Sequence, residues 1–144
     1  WDLIIAVEEK LKALMVAEYP ELARDDFRDL DEEKVNEINS ATGLGLSWKT
    51  VKDNCRKLIA HKDEIYFIDG LGFGFVVGHI IYEKNWKSHF SKHFPADDGG
   101  WHERLKLIRK IRDPLAHSHG KYLSDNNLAQ CNRYCEELIK LDLL

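Results

Sequence analysis

The sequence predicts an all-α fold in a single domain over residues 1–144. Apolar residues recur every three or four positions along most of the chain, a spacing that places them on one face of a helix. Hydrophobic residues make up 44% of the chain and charged residues 32%, enough to fill a core and cover it with a solvated surface. The predicted fold is a helical bundle with a short, irregular or β-like Gly-rich insertion near its middle.

The N-terminal part of the chain predicts two helices. The first runs from about residue 2 to residue 19 and ends before a proline. Its apolar face carries Leu3, Val7, Leu11 and Leu14. Asp29 or Asp31 can cap a second helix that runs to about Ser40, after which the segment 43–45 breaks the chain with two glycines.

The middle of the chain predicts a third helix, an irregular segment and a fourth helix. Ser47 is a good N-cap for the third helix, which runs to about His61. The run 65–68 is β-like and precedes the Gly-rich stretch 70–78, whose pattern fits neither helix nor strand clearly. From the end of that stretch, aromatic residues at steps of four predict a helix to about Phe94.

The segment that begins at Trp101 predicts a helix with an unusual apolar stripe. The stripe consists of Trp101, Leu105, Ile108, Arg112, Leu115 and His119. Arg112 lies in its middle, where a charged side chain needs an anionic partner, an interface or a cleft. Pro114 has no backbone N–H, so we expect the helix to kink, widen or restart near Asp113. Ser124 can cap a final helix.

Charge is distributed unevenly along the chain. The net charge of −4 argues against a protein that coats nucleic acid without selectivity. Residues 1–39 hold five basic and twelve acidic side chains, whereas residues 101–121 hold six basic and two acidic ones. A local basic strip of this kind is what a surface that contacts phosphate needs.

The cysteines and the first residues bear on location. The chain has three cysteines, and Cys131 and Cys135 share the apolar face of the last helix, so we expect reduced cysteines in a core. The first residues lack the features of a signal peptide, and no apolar run is long enough to cross a membrane. These observations favour a cytoplasmic protein without membrane contact. Because the chain does not begin with Met, we expect it to be part of a larger protein.

The run Arg112-Asp113-Pro114-Leu115-Ala116-His117 brings an Arg and a His close together in the sequence. A guanidinium can hold a phosphate through two parallel hydrogen bonds, and an imidazole can exchange a proton near neutral pH. Such a pair can cleave a phosphodiester without metal. Arg56 and His61 have the same spacing, and we interpret them as the basic last turn of an ordinary helix.

The spacing of the Arg-His pair constrains its geometry. In a straight helix, residues five apart point about 140° away from each other. Arg112 and His117 therefore meet within one chain only if the helix is distorted near Pro114. His119 lies near the Arg112 face without such a distortion and is a second candidate. The alternative is structural, with Asp113 capping a restarted helix and both histidines in a polar helix end.

Three other patterns are weaker. The Gly-rich stretch 70–78 imitates a dinucleotide loop, but the remaining helices supply no parallel sheet. Residues 50–58 and 65–75 imitate the recognition helix and wing of a winged-helix protein, but nearby acidic residues nearly cancel the local bases. His89 and His93 have metal-ligand spacing without a recognisable third ligand, so we predict no metal site.

The element order and the Arg-His run resemble the HEPN superfamily, all-helical domains named for higher eukaryotes and prokaryotes nucleotide binding. Residues 101–140 carry the most specific part of this likeness. The family motif is Arg, four to six residues, then His, usually with a polar residue after the Arg, and Arg112, Asp113 and His117 occupy those places. Asn is commoner than Asp at the second place. One toxin branch has Tyr where this chain has His119, so its regulation by nucleotide transfer is not carried over.

The resemblance implies a metal-independent endoribonuclease, without cofactor, in a toxin or antiviral defence context. It would cleave single-stranded RNA to 2′,3′-cyclic phosphate and 5′-OH ends. His117 would act as general acid or base, Arg112 would stabilise the developing phosphorane charge, and Asp113 would orient one of them. The candidate residues for substrate binding, from the basic strip around the motif, are Arg109, Lys110, His119 and Lys121.

The resemblance also implies partners. Two copies would form a homodimer whose Arg-His motifs meet in one composite cleft, which would explain an Arg on an apolar stripe. RNA and a possible antitoxin or regulatory domain are the other expected partners. The alternative function is a non-catalytic dimerisation or RNA-binding adaptor of a larger protein, since the family contains many such members.

Overall fold

The structure is a computed structural model that describes residues 2–96, 100–116 and 125–144. These residues form helices and turns, and none of them forms a β-strand, so the predicted all-α class is confirmed. The α-helices of the described residues are α1 (Asp2–Glu18), α2 (Glu32–Thr42), α3 (Trp48–Arg56), α4 (Phe73–Ile81), α5 (Glu83–Asn85), α6 (Trp101–Ala116) and α7 (Asp125–Lys140).

The chain divides into two compact units. One holds residues 15–72, and the other holds the residues up to Leu14 together with those from Phe73 onward. The single domain over residues 1–144 stays a prediction. In the described part of the chain, no helix combines the length and the apolar content that crossing a bilayer requires.

Caps define the helices of the unit formed by residues 15–72. The Asp31 carboxylate accepts a hydrogen bond from the backbone N–H three residues on at 2.8 Å, so Asp31 caps α2. Gly43 ends this helix with φ 75°, and Gly45 follows with φ 70°, left-handed conformations that favour glycine. The Ser47 hydroxyl caps α3 through a 3.2 Å bond from the N–H three residues on. The predicted caps at Asp31 and Ser47 are confirmed.

Helix α3 is shorter than predicted. It ends at Arg56, and the chain then turns with hydrogen bonds from the N–H groups of His61 and Lys62 to the carbonyl of Leu58. Ile59 is 44% exposed, so this segment has no buried face that would hold it as helix. The predicted extension to His61 is therefore wrong.

The β-like run after residue 64 forms no strand. Its second half enters a 3₁₀ turn, Phe67–Gly70, in which the Asp69 carboxylate accepts a 2.8 Å hydrogen bond from the backbone N–H of Tyr66. Phe67 and Ile68 are both buried in this turn. The apolar pattern of residues 65–68 therefore reflects burial of apolar side chains and not a β-strand, so the β-like interpretation is wrong.

Gly70 is the point at which this turn touches α3. A Cβ at Gly70 would lie 2.9 Å from the Cys55 Sγ and 3.4 Å from the Val51 carbonyl oxygen. The Gly70 carbonyl is also held, because it accepts a 2.8 Å hydrogen bond from the Asn54 side chain. We expect Gly70→Ala to lower the free energy of unfolding by about 1–3 kcal/mol through overpacking, measured by urea denaturation.

Two further variants test this contact. Gly72→Ala is the matched control, because a Cβ there would meet no atom within 4 Å. Cys55→Ala removes the closest atom, so it should restore part of the stability lost in the Gly70→Ala chain. A Gly70→Ala protein as stable as the unmodified chain would contradict the proposed contact.

The other unit is built around α6, which packs against α4 and α7. The Lys10 ammonium donates to the Ile139 carbonyl at 2.8 Å and also to the Leu141 carbonyl, which satisfies backbone acceptors at the end of α7. Buried core residues of this unit include Val7, Leu11, Val76, Val77, Ile80, Leu105, Ile108, Ile111 and Leu138. Cys131 and Cys135 are free and buried, as predicted.

The predicted helix from the end of the Gly-rich stretch to Phe94 is wrong in its bounds and its continuity. Helix α4 begins earlier, at Phe73, and ends at Ile81. Tyr82 has ψ 126°, which interrupts the helix before α5 begins. A π-helix then covers Trp86–Phe90, and a 3₁₀ turn covers Ser91–His93.

The interruption has a local cause. The Asn85 amide donates to the His79 carbonyl at 3.0 Å, which satisfies an acceptor near the end of α4. Tyr82 is 62% exposed whereas Phe90 is fully buried, so the aromatic residues at steps of four do not share one buried face.

Helix α6 is continuous through its proline. It runs from Trp101 to Ala116 and includes Pro114, so the helix does not restart at Asp113. The buried residues Ile108 and Ile111 hold this part of the chain against its neighbours at the cost of one backbone hydrogen bond. The predicted cap at Ser124 lies outside the described residues, as does part of the predicted loop 95–100.

Candidate functional site

Arg112 lies on the face of α6 that carries its buried apolar residues. Trp101 is 3% exposed, and Leu105 and Ile108, the next residues of the stripe, are fully buried. Arg112 follows them half-buried, and its Cζ lies 5.4 Å from the centre of the Phe73 ring, a cation–π distance. The predicted stripe is therefore confirmed from Trp101 to Arg112, whereas the side chains of Leu115 and His119 lie outside the described residues. The packing of α4 on α6 positions the Arg112 guanidinium.

Arg109 lies one turn earlier on α6 and rests on a glycine. A Cβ at Gly78 of α4 would lie 3.2 Å from the Cζ and the Nη2 of Arg109, so a larger residue there would push the guanidinium from its present position by a few tenths of an ångström. The Nε of Arg109 is buried, and no described residue accepts a hydrogen bond from it. A buried N–H of a cation without an acceptor favours an anionic ligand that supplies one.

Arg109 belongs to a shallow basic cleft. The cleft is lined by Ile81, Lys106, Arg109 and Lys110. Lys106 is paired with Glu103 at 3.2 Å on the exposed helix surface, an interaction of small energy. Within the described residues, neither Arg109 nor Lys110 forms an ion pair with a carboxylate. The basic cleft thus offers two cations for an anionic ligand.

Arg104 belongs to the same basic strip, but its guanidinium packs against aromatic rings and pairs with a carboxylate. Its guanidinium lies 4.9 Å from the Trp101 ring and 5.1 Å from the Tyr134 ring, and it donates to the Glu137 carboxylate at 3.1 Å. These contacts connect α6 with α7. Within the basic strip, Arg104 therefore contributes to the packing of α6 on α7, whereas Arg109 and Lys110 line the basic cleft.

The structure describes some of the predicted site residues. Arg109, Lys110 and Arg112 all lie on α6, and the two arginines lie against α4. Asp113 belongs to α6 by its backbone, and its side chain lies outside the description. His117, His119 and Lys121 lie outside the described residues. The predicted meeting of Arg112 with His117 thus stays a prediction.

Two residues of the site could not be predicted from the sequence. Phe73, under the Arg112 guanidinium, had no signal beyond its aromatic type, because only the packing of α4 on α6 brings it there. Gly78 had a weak signal, since a glycine within a helix often marks a close approach. The sequence pattern of the stretch 70–78 fits neither helix nor strand clearly, so this glycine does not by itself predict a contact between helices.

His79, next to Gly78, is held in its neutral form. Burial, and secondarily the charge of nearby His89, lower the pKa of His79 to about 4. The Asn85 amide lies 3.4 Å from both ring nitrogens, and the Phe90 ring packs edge-on at 6.1 Å. His79 therefore packs as a neutral ring rather than serving as an acid near neutral pH.

This environment predicts acid sensitivity. The unfolded chain binds the His79 proton near pH 6.5 and the folded chain near pH 4, so the free energy of unfolding falls as the pH drops through that window. Because the ring is only half-buried, we expect His79 to contribute about 1–2 kcal/mol of that loss. Urea denaturation of the unmodified chain and of His79→Gln at several pH values measures the contribution. Identical pH dependence in the two proteins would contradict it.

The weaker sequence patterns gain no support. Residues 65–75 form a 3₁₀ turn and the start of α4 instead of a wing, and the described residues contain no sheet for a dinucleotide fold. Among the described residues, no group of three or more potential ligands is placed to hold a metal ion. His93 donates a ring N–H to the Leu143 carbonyl at 2.8 Å, a structural contact.

Comparisons of this chain with protein-family models, with curated proteins and with solved structures found no match.

Proposed function

We propose that the chain is a metal-independent endoribonuclease of the HEPN type that cleaves single-stranded RNA. The observation that carries the proposal is the placement of Arg109 and Arg112, which lie one turn apart on α6 and both contact α4. Arg112 is the first residue of the Arg-His run. The Arg109 Nε is buried and lacks an acceptor among the described residues. A phosphate oxygen is a strong acceptor for a guanidinium, which can bind a phosphate through two parallel hydrogen bonds.

The proposed reaction is an internal transfer within the RNA. The ribose 2′-oxygen attacks its own phosphorus, the P–O2′ bond forms and the P–O5′ bond breaks. A base removes the 2′-OH proton and an acid gives a proton to the departing O5′. His117 acts as one of these two groups, the general base or the general acid, Arg112 stabilises the charge on the phosphorane, and Asp113 orients one of them.

The remaining residues hold the strand. Arg109 and Lys110 bind neighbouring phosphates in the basic cleft, and His119 and Lys121, which follow α6 in the sequence, bind the same strand. A homodimer with a composite cleft would bring two Arg-His motifs together. A cytoplasmic setting and control by an antitoxin or regulatory domain belong to the same proposal.

The test is incubation of the purified chain with labelled single-stranded RNA in EDTA, followed by analysis of the product ends. Products with 2′,3′-cyclic phosphate and 5′-OH ends support the proposal. Analytical ultracentrifugation of the same sample tests the homodimer. Intact RNA after incubation with a folded dimer would argue against the nuclease in this form.

The cation–π contact of Arg112 favours a second candidate function. An Arg held at 5.4 Å above a buried Phe73 ring has a packing role that requires no chemistry. The chain would then act as a non-catalytic dimerisation or RNA-binding adaptor. A chain that binds RNA with a Kd that depends on Arg109, and leaves the RNA intact, would favour this adaptor.

A further inference from the structure

A second cleft lies at the opposite end of α6 from Arg112, and aromatic side chains line it. It has a volume of about 440 Å³, within the range of small-ligand pockets. The Trp86 ring lies 5.0 Å from the Phe94 ring and 5.2 Å from the His102 ring, and Phe94 lies 6.0 Å from Trp101. Trp86 and His102 are only half-buried. This aromatic cleft therefore offers ring surface to a planar ligand.

Trp101 adds a donor that the fold leaves unused. Trp101 is one of the residues that line the aromatic cleft, and it is 3% exposed. Its indole N–H is buried, and no described residue accepts a hydrogen bond from it. A buried indole usually finds an acceptor, so the absence of one here is consistent with a ligand that supplies it.

The neighbouring basic cleft indicates the chemistry of the ligand. Arg109 and Lys110 line that cleft, and the Arg109 Nε is buried without an acceptor among the described residues. A ligand that reaches both clefts needs an anion for the basic cleft and a planar group for the aromatic cleft. A nucleobase with its phosphate has both.

The aromatic cleft adjoins the basic cleft. His102, Lys106 and Arg109 lie on one stripe of α6, at steps of four and three, and span about 10 Å along the helix. The His102 ring donates to the Ile81 carbonyl at 2.6 Å, and Ile81 itself lines the basic cleft. A strand that places a phosphate at Arg109 can therefore place a nearby base beside Trp86.

We propose that the aromatic cleft binds a base of single-stranded RNA, stacked on Trp86 and accepting a hydrogen bond from the Trp101 indole. This inference rests on the proposed function, because it takes RNA as the ligand of the basic cleft. It adds a base-binding subsite, formed by residues outside the Arg-His run.

The test measures binding without cleavage. Fluorescence anisotropy compares a labelled 2′-O-methyl oligoribonucleotide, whose blocked 2′-oxygen cannot attack, with an abasic oligomer of the same length. We expect the unmodified chain to bind the base-bearing oligomer about five- to a hundredfold more tightly. Trp86→Leu should lose this preference and bind the abasic oligomer unchanged, whereas Trp86→Phe should keep much of it.

Trp48→Leu is the matched control. Trp48 is also half-buried, packs against an aromatic ring at 5.9 Å and has a lysine 5.8 Å from its ring, but it lies in the other unit. It should leave the preference for bases unchanged. Trp101→Phe keeps the ring and removes the N–H, so it should weaken binding of the base-bearing oligomer about fivefold. Circular dichroism confirms that each variant is folded.

The outcomes separate this inference from the nuclease. Equal affinity for the base-bearing and abasic oligomers, together with cleavage of RNA, would overturn the base subsite alone. Base-dependent binding without cleavage would overturn the nuclease alone. Adenosine monophosphate bound as tightly as the oligomer would show a site for a free nucleotide, and the assignment to RNA would be wrong.

Discussion

Arg112→Ala and His117→Ala should each slow RNA cleavage by about a hundredfold or more, the effect expected when a general acid or base or a charge-stabilising donor is removed. The Arg112 side chain is half-buried and lies next to Phe73, so a phosphate that reaches it is partly shielded from water. The rate of product formation in EDTA, under single-turnover conditions, is the measurement.

The chain supplies its own control for this experiment. Arg56 and His61 have the spacing of Arg112 and His117, but α3 ends at Arg56 and His61 lies in an exposed turn. Arg56→Ala and His61→Ala should therefore cleave at the full rate. Folded Arg112→Ala and His117→Ala proteins with unchanged rates would remove both residues from the mechanism.

Arg112→Lys separates charge from geometry. Lys keeps the positive charge but cannot form two parallel hydrogen bonds to one phosphate. We expect thermal stability close to that of the unmodified chain and a cleavage rate closer to that of Arg112→Ala. If Arg112→Lys lost stability but kept its rate, the role of Arg112 would be packing.

The parts of the fold that could be predicted are those that depend on neighbours in sequence. Asp31 and Ser47 each cap a helix by bonding an N–H three residues away, and such caps are visible in the sequence. The start of α4 at Phe73 was not visible in the same way. Its glycines disfavour helix locally, and burial of Val76, Val77 and Ile80 in the unit outweighs that preference.

The candidate site likewise has one part that local sequence predicts and another that depends on tertiary packing. The position of Arg112 on a buried stripe followed from the helical period alone, because Trp101, Leu105 and Ile108 precede it at steps of four and three. The basic cleft needed tertiary packing. No local rule shows that Gly78 lies under Arg109, since the contact joins two helices far apart in sequence.

Gly78→Ala should weaken RNA binding while leaving the fold as stable as before or more so. Alanine is favoured over glycine within a helix by up to about 1 kcal/mol, so α4 itself gains. The new Cβ would lie 3.2 Å from the Arg109 Cζ, and the atom that must give way is the end of a flexible side chain. Arg109 therefore moves rather than the helix, and we expect RNA affinity to fall about threefold to tenfold.

Salt dependence identifies what has been lost. If Arg109 contacts one phosphate of a single strand, its loss lowers the slope of log Kd against log salt concentration by about 0.7. Arg109→Ala should show this change in full, and Gly78→Ala should show part of it. Gly72→Ala, whose Cβ would meet no atom within 4 Å, should leave both affinity and slope unchanged. Because Gly78→Ala keeps every basic residue and does not weaken α4, reduced affinity in that protein would report the position of Arg109 rather than net charge or unfolding. Unchanged affinity and slope in both Arg109→Ala and Gly78→Ala would place the RNA elsewhere.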